Sequence, residues 1–264
     1  MTGEKAYERI AEDLRGRIRS GEPAPGDRLP SEAALGERYG EGPPTVRRAL
    51  GLLLGEGLIE RRPEGGDVVC EPASRVRRSN DRHQWEKNRV RADLEERLST
   101  GAIERDTGLD VDDLVFSATY ERVKANAVLA GVFGLAEGDE LLERRYRTRH
   151  KDGRFPFELV RSYLVVGLIE ENPDLFDQAA EPWPGGTQSQ LDSVGIELDR
   201  VVERVISRPP TVEEAGELGL SAGVAVMDVR KTSIDTLGRV VEWSEIVLSG
   251  DRTEAVFTTR LDRW

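Results

Sequence analysis

Residues 29–62, LPSEAALGERYGEGPPTVRRALGLLLGEGLIERR, restrict the fold more than any other stretch of the chain. Ser31 is a good helix N-cap, and Glu32 behind it favours the positive end of the helix dipole. The short helix it opens carries Ala34, Leu35 and Tyr39 and stops at Gly40. After the tight turn Gly40-Glu41-Gly42, a second helix starts at Pro43-Pro44, where proline forfeits no hydrogen bond. Val46, Ala49, Leu50, Leu53 and Leu54 form one face of that helix, and Arg47 and Arg48 fall off it. Gly57 closes it. Leu58 to Arg62 and Asp67 to Cys70 then read as two short strands around Pro63-Glu64-Gly65-Gly66. Two helices, a tight turn and a hairpin make a winged helix-turn-helix, whose second helix suits the DNA major groove.

LPSE, TVRRAL and EGLIERR, in this order and spacing, resemble the DNA-binding domain of GntR-type bacterial transcription regulators from Tyr7 to Val69. The resemblance implies DNA contacts from Arg28, Ser31, Thr45, Arg47, Arg48 and Gly66. It has departures. Where relatives carry Ser/Thr-Arg-x-Thr-Val-Arg, this chain has Gly42-Pro43-Pro44-Thr45-Val46-Arg47, and Ala33 stands where many have arginine. The wing Gly-x-Gly-Thr becomes Glu64-Gly65-Gly66-Asp67. A lost base contact costs about 1–3 kcal/mol. The departures predict binding that is weaker, differently specific or helped from elsewhere, and a winged helix used only for protein contacts stays open.

A net charge of −12 is unusual for a DNA binder, so its distribution matters. Residues 1–72 carry 11 basic and 14 acidic residues, 73–100 carry 8 and 5, and 101–264 carry 19 and 31. Positive charge gathered on one face still neutralises phosphates locally. The densest basic run, 75–91, RVRRSNDRHQWEKNRVR, holds seven basic and two acidic residues. It reads either as a solvated interdomain tether or as an arm that reaches phosphates. Tyr7, Ile10, Ala11, Leu14 and Ile18 recur at helical spacing over 5–20 and predict a first core helix. The loop 21–30 is stiffened by prolines.

Length allows one or two domains. No apolar run approaches a membrane span and no signal peptide opens the chain, so the expected location is the cytoplasm, with no membrane partner. One cysteine, Cys70, excludes an internal disulfide, and His83 and His150 lie too far apart to suggest zinc. Neither a metal nor a cofactor is expected.

From residue 101 the pattern is α+β. Short helices at Asn126 to Phe133 and Thr211 to Leu218 alternate with strands at Leu141 to His150, Phe155 to Val166 and Val201 to Ser207, then a hairpin over Val224 to Leu248. Antiparallel strands with segregated helices predict an open sheet. FGLAEGDELLERRYRTRHKDG, RPPTVEEAGELGLSAG and LGRVVEWSEIVLSGDR resemble the UTRA effector domain of HutC-type GntR regulators, and GAIERDTGLDVDDLVFSATY the actinobacterial branch. This divides the chain into a DNA-binding domain at 1–72, a basic linker at 73–100 and an effector-binding and dimerisation domain at 101–264.

The resemblance implies an effector cleft on the sheet. Arg147 and Arg149 match an Arg-x-Arg before Asp-Gly, and strand alternation sets both on one face. Two guanidinium groups there suit a carboxylate or phosphate. Ser162 and Glu242 match further cleft positions, and Ser244 shares a strand face with Glu242. The whole predicts a homodimeric repressor on an inverted-repeat operator in double-stranded DNA, released by a small anionic or polar metabolite, and not an enzyme. Two alternatives stay open: an enzyme like chorismate lyase, whose fold UTRA resembles, and a regulator with a weakened DNA face acting through protein contacts.

Overall fold

A computed structural model describes residues 5–62, 65–70, 76–221 and 223–262. The chain forms two compact units. The first opens with three helices, α1 (Ala6–Arg19), α2 (Glu32–Tyr39) and α3 (Pro43–Gly55), followed by the hairpin strands β1 (Ile59–Arg61) and β2 (Asp67–Val69). Ser31 Oγ accepts from the Ala34 amide at 3.2 Å and caps α2, while Gly40 ends it in the left-handed conformation. Ile10, Ala11 and Leu14 of α1 pack with Leu35, Val46, Ala49, Leu50 and Leu53 into one core. Each leucine fully buried there is worth about 1.5–3 kcal/mol. Arg28 bridges Val68, so the loop ahead of α2 adds a third strand-like edge to the wing.

The second unit begins where a tether was expected. β3 (Val76–Ser79), α4 (Arg82–Arg89), α5 (Leu94–Ser99) and α6 (Ala102–Thr107) all belong to it. The reading of 73–100 as a linker is therefore corrected over its described part: these residues are structural, and the reason is ionic. Arg78, Arg82 and Arg89 are buried, paired with Glu203, Asp106 and Glu96 respectively. Arg75 lies outside the described residues.

After α6 come β4 (Leu114–Lys124), α7 (Ala127–Phe133), β5 (Glu140–His150), β6 (Glu158–Val165), α8 (Val166–Ile169), α9 (Gly186–Asp192) and β7 (Leu198–Arg208). The helix α10 (Val212–Leu218) follows, then β8 (Val226–Asp235), β9 (Val240–Ser249) and β10 (Thr253–Val256). The sheet order is β4-β5-β6-β9-β8-β7, antiparallel throughout, and β10 pairs in parallel with β3. This is the α+β architecture expected. One core gathers Leu142, Leu164, Ile169, Leu191 and Val241, and another packs α7 against Leu141, Tyr163 and Trp243.

The helix expected over Thr211 to Leu218 forms, with Thr211 as its cap, but in the other unit. Residues 209–225 cluster with the three-helix core. The approach there is close. A Cβ on Gly223, whose φ is +87°, would fall inside van der Waals contact with the Gly55 carbonyl oxygen, and one on Gly57 would sit 3.5 Å from Val224.

Candidate functional site

In the first unit the outward face of α3 carries few cations. Arg47 is exposed and 3.0 Å from Glu32, the first residue of α2. Arg48 is exposed but turned back onto α1, its guanidinium 4.0 Å from the centre of the Tyr7 ring. Thr45 lies one turn earlier, its amide bonded to the Gly42 carbonyl. Arg28 is exposed beside the wing, and Gly66 forms the hairpin tip, its carbonyl accepting from the Arg62 amide at 3.1 Å. Asp67, the acid standing at the wing's threonine position, is buried and held by Arg61 at 3.0 Å. Glu64 lies outside the described residues.

The second unit holds a cavity of about 520 Å³. Its floor is the sheet. A pleated sheet puts directly paired residues on one face, and the register lines up Tyr120, Arg144, Ser162, Ser244, Lys231 and Glu203, one from each of six strands. Tyr146, Thr148, Glu158, Val160, Glu242 and Ile246 complete the floor around this row. The walls are α4, with Arg82, His83, Trp85 and Glu86, the α5–α6 turn, and the segment from Glu181 to Thr187.

Glu242 is the hub. Its carboxylate accepts from Ser162 at 3.0 Å, Ser244 at 3.2 Å and Ser233 at 2.8 Å, and lies 2.9 Å from Lys231 and 3.5 Å from Arg144. Burial alone would raise its pKa; Lys231, Arg144 and the Ser233 hydroxyl outweigh burial and bring it down to about 2. Arg144, fully buried, also donates to Gln190 at 2.6 Å and to Ser162 at 2.9 Å. Tyr146 donates to Glu181 at 3.0 Å, and Gln190 donates to the same oxygen at 2.9 Å.

On α4, Arg82 donates to Asp106 at 2.5 Å. Burial pushes the Asp106 carboxyl up to about 6, against the pull of Arg82 and Arg78, and Glu158 and Glu86 add to the rise. Burial would likewise raise Glu203, yet His83 and Arg78 hold it well below the usual carboxylate range. The Nε atoms of Arg78, Arg82, Arg97 and Arg144 are buried without a hydrogen-bond partner.

Ser162, Glu242 and Ser244 thus line this cavity together. Arg147 and Arg149 do not line it, and their reading as an anion clamp on the cleft is corrected. Alternation does place both on one strand face, but it is the face opposite Tyr146 and Thr148. Arg147 Nη1 donates to the Tyr146 carbonyl at 2.9 Å, and Arg149 Nη1 to the carbonyls of Lys151 at 2.9 Å and Gly153 at 3.1 Å. The sequence reading missed Arg144 beneath the floor, Tyr146 and Glu158 on it, and the α4 wall. A usable signal was the spacing of Arg82, His83 and Glu86 around a lone Trp85, which gathers them on one helical side.

Among the described residues no group of His, Cys, Asp and Glu is arranged to hold a metal ion, and no helix is long and apolar enough to cross a membrane.

Comparison with known proteins finds two domains in the same order, and residues 209–225, which cluster with the first unit, fall within the second match. Residues 6–69 match the model of the bacterial regulatory proteins, gntR family, and residues 117–254 match the UTRA domain. An HTH-type transcriptional regulator of Streptomyces coelicolor is 30% identical, covering 93% of this chain and 89% of its own. The HTH-type transcriptional repressor NagR of Bacillus subtilis is 25% identical over 93% and 91%. The repressor PhnF of Mycolicibacterium smegmatis is 27% identical over 86% and 82%. A crystal structure of a GntR-family transcriptional regulator superposes with a TM-score of 0.65 at 24% identity, covering 98% of this chain and 99% of its own. The Streptomyces and Mycolicibacterium relatives agree with the actinobacterial branch. The chain belongs to the GntR family of bacterial transcription regulators, with a UTRA effector domain C-terminal to its winged helix.

Proposed function

We propose that this protein is a cytoplasmic repressor that binds an inverted-repeat operator as a homodimer and is released when a small molecule fills the cavity of the second unit. The observation that carries the reading is the cavity itself. It lies within the unit matched to the UTRA domain, has the size of a small-molecule site and converges several polar groups on one space. Repression is supported by the names of NagR and PhnF. A dimer is supported by the general geometry of such sites, since one winged helix covers a half-site and two-fold symmetry doubles the contacts. Binding is favoured over catalysis because the relatives are named as regulators and repressors, and Glu242, at about 2, is a poor proton donor or acceptor near neutrality.

The DNA face we assign to α3 and the wing, with Arg47 central because it is exposed and its ion pair among the described residues is to half-buried Glu32. Arg47→Ala should weaken binding to the DNA upstream of the protein's own gene by at least about tenfold, the worth of one good charged contact. A gel shift measures this, and unchanged affinity in a folded variant removes Arg47 from the interface. For the effector, Ala102→Trp fills the α6 side of the cavity. The variant should hold DNA normally and lose release by metabolite extracts. Normal release from the blocked variant would place the effector elsewhere.

A further inference from the structure

The class of effector follows from which charges in the cavity lack a partner, and this step rests on the cavity being the effector site. All but one of the cations facing it are already matched. Arg78 pairs with Glu203, Arg82 with Asp106 and Lys231 with Glu242. Arg89 donates to the Glu96 and Thr100 carbonyls and lies 4.8 Å from the centre of the Trp85 ring. Arg97 has no carboxylate partner among the described residues and its Nε is buried without a hydrogen bond, but the side chain as a whole is only half-buried, so water screens its charge.

Around Arg82 the carboxylates outnumber the cations. Arg82 feels four of them, Glu86, Asp106, Glu158 and Glu203, while Arg78 and Lys231 are the other cations acting there. Glu86 lies 3.5 Å from His83. Glu158 is different. It is 8% exposed, lines the cavity, and makes no hydrogen bond or ion pair among the described residues. A buried carboxylate with no partner is costly, and the cost vanishes when a cation arrives.

The rest of the lining is suited to the body of such a cation. Phe116 and Tyr146 pack with ring centres 5.6 Å apart, and Trp183, Leu98, Ile103 and Val111 add apolar surface. Aromatic faces attract cations and exclude the water that would screen Glu158. We propose that the cavity takes a small organic cation, an ammonium or amidinium on an apolar or aromatic body, with its charge on Glu158 and its body against Phe116 and Trp183. This is the reverse of the anion that two arginines on one strand face had suggested.

The test is isothermal titration of the full-length protein with four matched probes: phenethylamine and benzamidine as cations, phenethyl alcohol as the neutral isostere and phenylacetate as the anion. Both cations should bind at least about tenfold more tightly than the alcohol, as expected for a buried charge gaining its partner, and phenylacetate should be weakest. Glu158→Gln should level the cations with the alcohol without lowering the ligand-free melting temperature, because it removes an unpaired charge. The comparison within wild-type protein stands whether or not the variant folds. Equal binding of cation and alcohol, tighter binding of phenylacetate, or no cation binding at millimolar concentration overturns the proposal. Repeating the titrations with the upstream DNA bound separates the two readings. Cations that bind without changing DNA affinity keep the charge class and sink the effector role. An anion that releases DNA from wild type but not from Ala102→Trp keeps the role and sinks the class.

Discussion

Arg144 has no exposure at all, and it sits beside Glu242 with Lys231 as the second cation. Taking one member out of a buried ion network leaves the rest uncompensated, at a cost of about 3–5 kcal/mol. Arg144→Met should therefore lower the unfolding free energy of the second unit, read from urea melts, by an amount in this range, and a loss below about 1 kcal/mol would show that Lys231 alone neutralises Glu242. The two displaced carboxyls pull stability in opposite directions with pH. Glu242 is depressed in the folded state, so its contribution is full above its ordinary 4.5 and is lost as pH falls toward about 2. Asp106 is raised, so its contribution is full below its ordinary 3.8 and is lost as pH climbs through about 6. Urea melts from acid to neutral pH should show a decline between those two values that Asp106→Asn abolishes; a decline that survives the substitution has another source. At this scale the sequence was half legible. Alternation correctly paired Arg147 with Arg149 and Glu242 with Ser244, but parity does not say which face of a sheet carries the cavity. Only the register that aligns Arg144, Ser162 and Ser244 does.

Most elements with an apolar stripe were readable, and the one without was not. Helices α1 and α3 and the long strands announce themselves because burial follows hydrophobic periodicity. Helix α4, RHQWEKNR, has Trp85 as its one apolar residue, and it buries Arg82 and Arg89 through ion pairs and carbonyl contacts instead. Periodicity cannot see that kind of burial. The consequence for DNA binding is direct. Had 75–91 been a phosphate-seeking arm, changing Arg78 and Arg82 to Gln would flatten the log–log salt dependence by nearly one unit per arginine. With both guanidinium groups turned into the second unit, the double variant should leave the salt slope unchanged and lower the melting temperature. A flattened slope with unchanged melting would restore the arm.

Across the whole chain, 101–264 is strongly acidic, and the basic run that seemed to offset it is largely engaged with carboxylates of the second unit. On the proposed function, phosphate contact would fall to cations of the first unit. That unit is not continuous in sequence: residues 209–225 belong to it, with Leu218 buried and Val224 beside the turn at Gly57. A fragment of residues 1–73 should consequently be less stable than the same fragment carrying 209–225 on a flexible tether. Burying one such side chain is worth about 1.5–3 kcal/mol, less a modest loop-closure cost. For a domain this small each net kcal/mol is about 4–8 °C of melting temperature. Equal melting of the two fragments would show that the later segment adds nothing.

The returning segment also bears on how such proteins can be recombined. The chain passes from one unit to the other three times, near residues 73, 208 and 225. Two cassettes joined at a single seam could be exchanged between relatives by one crossover, each arriving whole. Here a single crossover near 73 would deliver a winged helix from one parent and its 209–225 patch from another. The seam would then run through the Gly55–Gly223 approach, where an added Cβ has no room. Coupling to foreign effector domains thus demands either a double exchange or glycine at that position in both parents, a restriction imposed on inheritance rather than on folding.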